Sequence, residues 1–76
     1  MKDKFYVEYR DFGLSVFYFR KARGMTQEEL SEKMDVNPET ISRIENANTG
    51  ISLDMLFKLS KALKVPLGEL FTHAKL

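Results

Sequence analysis

The sequence predicts an all-α domain of five short helices, preceded by an N-terminal segment whose conformation the residues leave open. Three observations support this prediction. Apolar residues from about Phe12 to Phe71 recur every three or four residues, which places them on single faces of helices. Capping residues and helix breakers divide this stretch into helix-length segments. The chain has 76 residues, a length that suits one domain.

The first helix is marked by Phe12, Val16 and Phe19, whose steps of four and three residues place them on one face. Gly24 ends this helix, because glycine readily adopts the left-handed conformation that follows helix C-termini. The next residues, T-Q-E-E from Thr26, form a capping box that begins a second helix.

The segment before the first helix allows two interpretations. The stretch KFYVEY alternates apolar and polar residues, which favours a β-strand. Phe5 and Tyr9 also continue the helical spacing, so an earlier helix start is the alternative. We therefore divide the chain into an N-terminal extension over residues 1–11, a candidate strand or dimer arm, and a domain over residues 12–76.

The remaining helices have clear start and stop signals. Asn37 is a strong N-cap, and Pro38 follows at the first helical position, where its missing N–H has no cost. Ser52 caps a fourth helix, and a Val-Pro pair separates this helix from a short fifth helix over Leu67–Phe71. The core-facing residues expected on the second, third and fourth helices are Leu30, Met34, Ile41, Ile44, Leu53, Leu56, Leu59 and Leu63.

Composition argues against several classes of function. The chain has no cysteine and one histidine, His73, and it contains no metal-spaced cluster or phosphate-binding glycine loop, so we expect neither an enzyme nor a cofactor or metal site. No apolar run reaches the roughly 20 residues that span a bilayer. Acidic residues near the N-terminus argue against a signal peptide. We therefore expect a soluble, cytoplasmic protein without a membrane partner or an evident small-molecule ligand.

The second and third helices are separated by about three non-helical residues, a spacing that forces a steep crossing, as in a helix-turn-helix. The motifs FRKARGMTQEELSEKM, VNPETISRIEN and SLDMLFKLSKALKVPLGELF make this interpretation specific. In order, they resemble the first two helices, the turn with the recognition helix, and the last two helices of the lambda-repressor-like, Cro-type (XRE family) DNA-binding domain. The resemblance implies a compact five-helix lambda-repressor-like fold.

The same resemblance implies a transcriptional regulator that binds duplex DNA sequence-specifically as a homodimer, with the recognition helix (about residues 38–46) in the major groove. In size the chain resembles the controller proteins of restriction–modification systems and small phage repressors. The positions that match the family's DNA-binding residues are Gln27, Asn37, Pro38, Glu39, Thr40, Ser42, Arg43 and Asn46.

Individual roles follow from the resemblance and from side-chain chemistry. Gln27 matches a residue that contacts phosphate, and Arg43 can donate two hydrogen bonds to guanine. Glu39 can accept from cytosine or repel the phosphates of wrong sites. In the family's pattern, an arginine at the position of Arg20 pairs with a glutamate at the position of Glu45.

The charge distribution favours an alternative function. Six acidic and two basic residues lie between Thr26 and Asn46, a local balance of minus four. The alternative is therefore a protein-interaction module of the antitoxin or antirepressor type, with weak or no DNA binding. Asp35, Ala47 and Lys64 also stand where the family often has glycine, so we expect left-handed backbone there.

The first helix carries more apolar surface than its core face requires. Leu14, Phe17 and Tyr18 form a second stripe nearly opposite the first, and seven of the nine aromatic residues lie within the first 19 positions. Two segments could bury this stripe: the chain's own residues from Phe5 to Tyr9, or the two-fold related copy of the chain. We favour the second and name the stripe a candidate dimer interface.

Overall fold

The computed structural model describes residues 4–73. In this range the chain forms five helices and no strand: α1 (Tyr6–Ala22), α2 (Gln27–Met34), α3 (Pro38–Glu45), α4 (Leu53–Leu63) and α5 (Leu67–His73). The predicted all-α fold is therefore confirmed. Residues 1–3 of the predicted N-terminal extension and residues 74–76 at the end of the predicted domain lie outside the described residues. None of the five helices is long and apolar enough to cross a membrane.

The favoured strand before Phe12 is wrong, because α1 begins at Tyr6 and runs through this segment. The backbone N–H of Tyr9 donates to the carbonyl of Phe5 at 3.0 Å, which closes the first helical turn. A single strand would leave its backbone groups without partners, whereas a helix satisfies its own. The proposed fold-back of this segment over the second stripe is wrong for the same reason, since both belong to one helix.

The caps that the sequence predicts set the helix starts. The backbone N–H of Glu29 donates to Thr26 Oγ1 at 3.0 Å, and the N–H of Thr26 donates to Glu29 Oε1 at 2.9 Å, which completes the capping box of α2. Asn37 Oδ1 accepts from the N–H of Glu39 at 2.9 Å, and Ser52 caps α4 in a similar way. The recognition helix therefore begins at a defined residue.

One core combines residues from all five helices. Its buried members are Phe12, Val16, Phe19, Leu30, Met34, Ile41, Ile44, Leu59, Leu63, Val65 and Leu70. Ser15 Oγ donates to the carbonyl of Leu70 at 3.0 Å and joins α1 to α5 inside this core. The prediction for Leu53 is wrong, because this residue is exposed on the same side of α4 as Phe57, four residues later, which is also exposed.

Three non-glycine residues have left-handed backbone, as the sequence predicts. Asp35, Ala47 and Lys64 have φ values of 56°, 59° and 57°. Asp35 and Lys64 end α2 and α4, so each helix ends with a side chain where glycine would be less strained. Each such residue costs roughly 1–2 kcal/mol relative to the right-handed conformation.

Candidate nucleic-acid interface

Helix α1 approaches the C-terminal end of α3 very closely, and Gly13 makes this possible. A Cβ atom at Gly13 would lie 2.5 Å from the carbonyl oxygen of Ile44 and 2.8 Å from that of Glu45. Both contacts are shorter than real Cβ contacts, and both involve backbone atoms. Gly13 is not among the site residues that the sequence predicts. The usable signal was a glycine within the first helix, between the buried Phe12 and Val16.

The structure brings Arg20 and Glu45 together at this contact. Arg20 Nε donates to Glu45 Oε2 at 2.6 Å and Arg20 Nη2 donates to Glu45 Oε1 at 3.1 Å, while Nη1 donates to the carbonyl of Met25 at 2.8 Å. The side chains of Arg20 and Glu45 are only 8% and 5% exposed. This bidentate pair holds the end of the recognition helix against α1 and the start of α2.

Gln27 joins the same cluster from the first position of α2. Its Nε2 donates to Glu45 Oε1 at 3.0 Å, so this carboxylate oxygen accepts from both Gln27 and Arg20. Gln27 is half-buried. The start of α2 and the end of α3 are therefore held in one orientation by a single carboxylate.

A cleft of about 480 Å³ opens beside this cluster, between the end of α1 and the first residues of α2 and α3. It is lined by two cationic side chains and one carboxylate among neutral residues: Arg20, Lys21, Gly24, Met25, Thr26, Gln27, Glu28 and Pro38. The N-terminus of α2 opens on this cleft with its unpaired N–H groups and helix dipole, a combination that favours phosphate. Lys21 adds an exposed cation that is not among the predicted site residues; its position in the last turn of α1 was the available signal.

The predicted base-reading residues lie on the outer face of α3, and Asn46, whose backbone the family resemblance assigns to phosphate, follows at the end of the helix. Pro38, Glu39, Arg43 and Asn46 are exposed, and Ser42 is half-buried. Arg43 Nη2 lies 3.2 Å from Glu39 Oε2 in an ion pair whose side chains are 58% and 68% exposed. The amide of Asn46 donates to the carbonyl of Ser42 at 2.9 Å. Glu39 and Arg43 therefore pair with each other, Asn46 bonds to the backbone of α3, and all three side chains remain open to solvent.

The two other predicted DNA-binding residues take different positions. Asn37 is exposed, but its side-chain oxygen is occupied by the cap of α3. Thr40 is half-buried on the flank of α3, next to the core residue Ile41. The eight predicted positions thus comprise five on or next to the outward face of α3, the flanking Thr40, Gln27 at the start of α2, and Asn37, whose side chain caps α3.

Comparison with known proteins places this arrangement in a family. Residues 17–70 match the family model described as helix-turn-helix. The chain is 34% identical over 65 residues to a competence pilus inhibition repressor of Acinetobacter baylyi, and the alignment covers 86% of this chain and 59% of that protein. The chain therefore spans little more than half the length of this relative.

Two solved structures have the same fold over nearly the whole chain. The clp gene regulator ClgR of Corynebacterium glutamicum matches with a TM-score of 0.86 at 25% identity, covering 90% of this chain and 72% of that one. The restriction-modification controller protein C.AhdI of Aeromonas hydrophila matches with a TM-score of 0.85 at 29% identity, covering 87% of this chain and 100% of that one. With the family match over most of the sequence, these similarities show that the chain belongs to the XRE-type helix-turn-helix family of DNA-binding transcription regulators.

Proposed function

We propose that this protein binds duplex DNA sequence-specifically as a homodimer and regulates transcription, with α3 in the major groove. The observation that carries the proposal is the division of α3 into two faces. Its inner end is fixed by Glu45 to Arg20 and Gln27, while its outer face presents Glu39 and Arg43 to solvent. A helix held rigidly from behind, with a free polar face, is suited to direct readout of base edges.

The phosphate contacts in this proposal come from the cleft at the end of α1. Lys21 supplies a charge, and Gln27 and the backbone N–H groups of the α2 start supply neutral donors. This is a small number of cations for a DNA-binding surface. We therefore expect the affinity for random duplex to depend weakly on salt. The slope of log affinity against log salt concentration should correspond to only about one to two phosphate contacts per protomer.

The homodimer is assigned to the second stripe of α1. Leu14, Phe17 and Tyr18 are 55%, 42% and 52% exposed, and Val7 extends the stripe by two further turns at 54%. Burying such side chains stabilises association by roughly 1.5–3 kcal/mol each when burial is complete. A two-fold axis would relate two α3 helices on a palindrome-like operator with half-sites about 34–36 Å apart.

A second exposed apolar pair provides the matched control for this assignment. Leu53 and Phe57 lie on α4 and are 66% and 49% exposed. We expect Leu14→Ser/Tyr18→Ser to shift the protein from dimer to monomer in sedimentation experiments, whereas Leu53→Ser/Phe57→Ser leaves it dimeric. The opposite result would move the dimer interface to α4, and a wild-type protein that is monomeric on and off DNA would refute the homodimer.

Sequence-specific binding is tested by selecting bound duplexes from a random library and titrating the selected operator with salt. We expect a defined, palindrome-like consensus and an operator affinity at least 1,000-fold above that for random duplex. The rival function, a protein-interaction module, is favoured by the local balance of minus four between Thr26 and Asn46. That rival predicts no enriched consensus and almost no binding to any duplex.

A further inference from the structure

Four lysines surround a cleft that the proposed DNA contact does not use. Lys33 comes from α2, Lys58 and Lys61 from α4, and Lys64 from the end of α4. All four are exposed, and they line a cleft of about 360 Å³ together with the apolar residues Met34 and Ala62. We refer to this feature as the lysine cleft.

The charges of the lysine cleft are not balanced by the protein around it. Among residues 4–73, no carboxylate lines the cleft and none of the four lysines forms an ion pair. Arg23 adds a fifth positive charge beside it, since its Nε donates to the carbonyl of Leu63 at 2.8 Å and its Nη2 to that of Lys64 at 3.3 Å. Lys58 and Lys61, three residues apart on α4, repel each other slightly, and the cluster as a whole is complementary to an anionic partner.

The position of the cleft separates it from the recognition surface. It lies between the last turns of α2 and α4, whereas Gln27 and the phosphate-facing N–H groups lie at the first turn of α2. No residue of α3 lines it. A ligand in the lysine cleft therefore leaves the outer face of α3 free for the major groove.

The chemistry of the cleft favours an acidic peptide. Lysine ammonium groups are flexible point charges, which match carboxylates on an adaptable chain better than they match a rigid bidentate ligand. The floor of Met34 and Ala62, with the aliphatic stems of the lysines, accepts an apolar side chain. We propose that the lysine cleft binds an acidic segment of a partner protein, anchored by one apolar residue, while the regulator is on its DNA.

The probe is a fluorescein-labelled twelve-residue peptide of Asp and Glu with one central Leu, measured by fluorescence anisotropy at low salt. We expect saturable binding that weakens at least tenfold in Lys33→Gln/Lys58→Gln. The matched control, Lys4→Gln/Arg10→Gln, removes two exposed cations at the N-terminal end of the described chain, Lys4 before α1 and Arg10 on α1, and should change the affinity less than twofold. Replacing the central Leu of the peptide by Ser should weaken binding to the wild-type protein at least threefold.

Three results would overturn the proposal. One is absence of binding to the wild-type protein, and another is equal weakening by both double variants, which would indicate general charge attraction. The third concerns a twelve-base-pair duplex that lacks the operator sequence. If Lys33→Gln/Lys58→Gln lowers the affinity for this duplex more than the affinity for the peptide, the cleft would be assigned to nucleic acid. Circular dichroism of each variant verifies that the fold is intact, and operator binding measured in parallel keeps this test separate from that of the proposed function.

Discussion

The recognition helix takes part in two arginine–glutamate pairs that have the same chemistry and different surroundings. Glu45, at the end of α3, meets Arg20 of α1 in a pair whose side chains are almost fully buried. Glu39 and Arg43, four residues apart on the outer face of α3, meet in a pair that is largely exposed. The first pair joins two helices, and the second joins neighbouring turns of one helix.

This difference separates residues that hold the fold from residues that are available for recognition. A buried charge whose partner is removed remains in a low-dielectric environment without compensation, so breaking the pair from one side is expensive. An exposed pair is solvated on both sides and contributes about 0–1 kcal/mol. Arg43 can therefore exchange Glu39 for a guanine edge at little cost, whereas Arg20 cannot leave Glu45.

The largest expected effect comes from breaking the buried pair. Glu45→Ala should lower the free energy of unfolding by about 3–5 kcal/mol, because Arg20 is left buried without its carboxylate and Gln27 also loses its acceptor. Urea denaturation followed by circular dichroism measures this change. Glu39→Ala is the control and should change stability by less than about 1 kcal/mol. Equal effects of the two variants would contradict the distinction.

The second prediction concerns the contact that brings α1 close enough for Arg20 to reach Glu45. Gly13→Ala should lower the free energy of unfolding by roughly 1–3 kcal/mol, because the new methyl group meets backbone carbonyls that cannot rotate away. Gly68→Ala is the matched control, since a Cβ there meets nothing within 4 Å. In a helix, that substitution should stabilise by up to about 1 kcal/mol. Thermal unfolding measures both changes. A higher unfolding temperature for both variants would show that α1 is not tightly packed on α3.

The third prediction tests whether the exposed pair is a recognition element. Arg43→Ala should weaken operator binding by roughly 1–3 kcal/mol and relax the preference at one base pair per half-site. Its affinity for random duplex should fall much less, and its stability should stay close to that of the wild-type protein. Competition binding with operator variants measures all three quantities. Equal losses on operator and random DNA would show that Arg43 contacts only phosphate.

The parts of the structure that the sequence predicts are those governed by local rules. Apolar spacing, the Thr26 capping box and the Asn37-Pro38 start give the order and type of the last four helices, because caps and periodicity act within a few residues. The N-terminal segment was ambiguous locally. Its apolar residues fit both periods, and the choice depends on backbone pairing that no single strand provides.

The parts that the sequence leaves open depend on pairs of distant residues. The need for Gly13 arises where two helices meet across more than 30 residues of chain, so its position within the first helix indicates an unusual site but does not show which backbone it contacts. The pairing of Arg20 with Glu45, which the structure confirms, was predicted only through the family resemblance, because a charge count of minus four around α3 does not show which residues meet. The lysine cleft combines residues of α2 and α4 and becomes visible only after folding.

The smallest expected effect concerns the acidic member of the exposed pair. Glu39→Gln removes a carboxylate next to Arg43 but leaves a side chain of the same size. The negative charge of Glu39 repels the phosphates of any duplex, whatever its base sequence. Removing this charge should therefore strengthen binding to random duplex by roughly 0.5–1 kcal/mol. Glutamine keeps an amide oxygen that can accept from cytosine, but a hydrogen bond without the negative charge is weaker, so a contact of Glu39 with cytosine in the operator would be weakened at the same time. We therefore expect the ratio of operator to random affinity to fall about fivefold, with stability unchanged; equal gains on both duplexes would show that Glu39 acts through charge alone and does not contribute to discrimination.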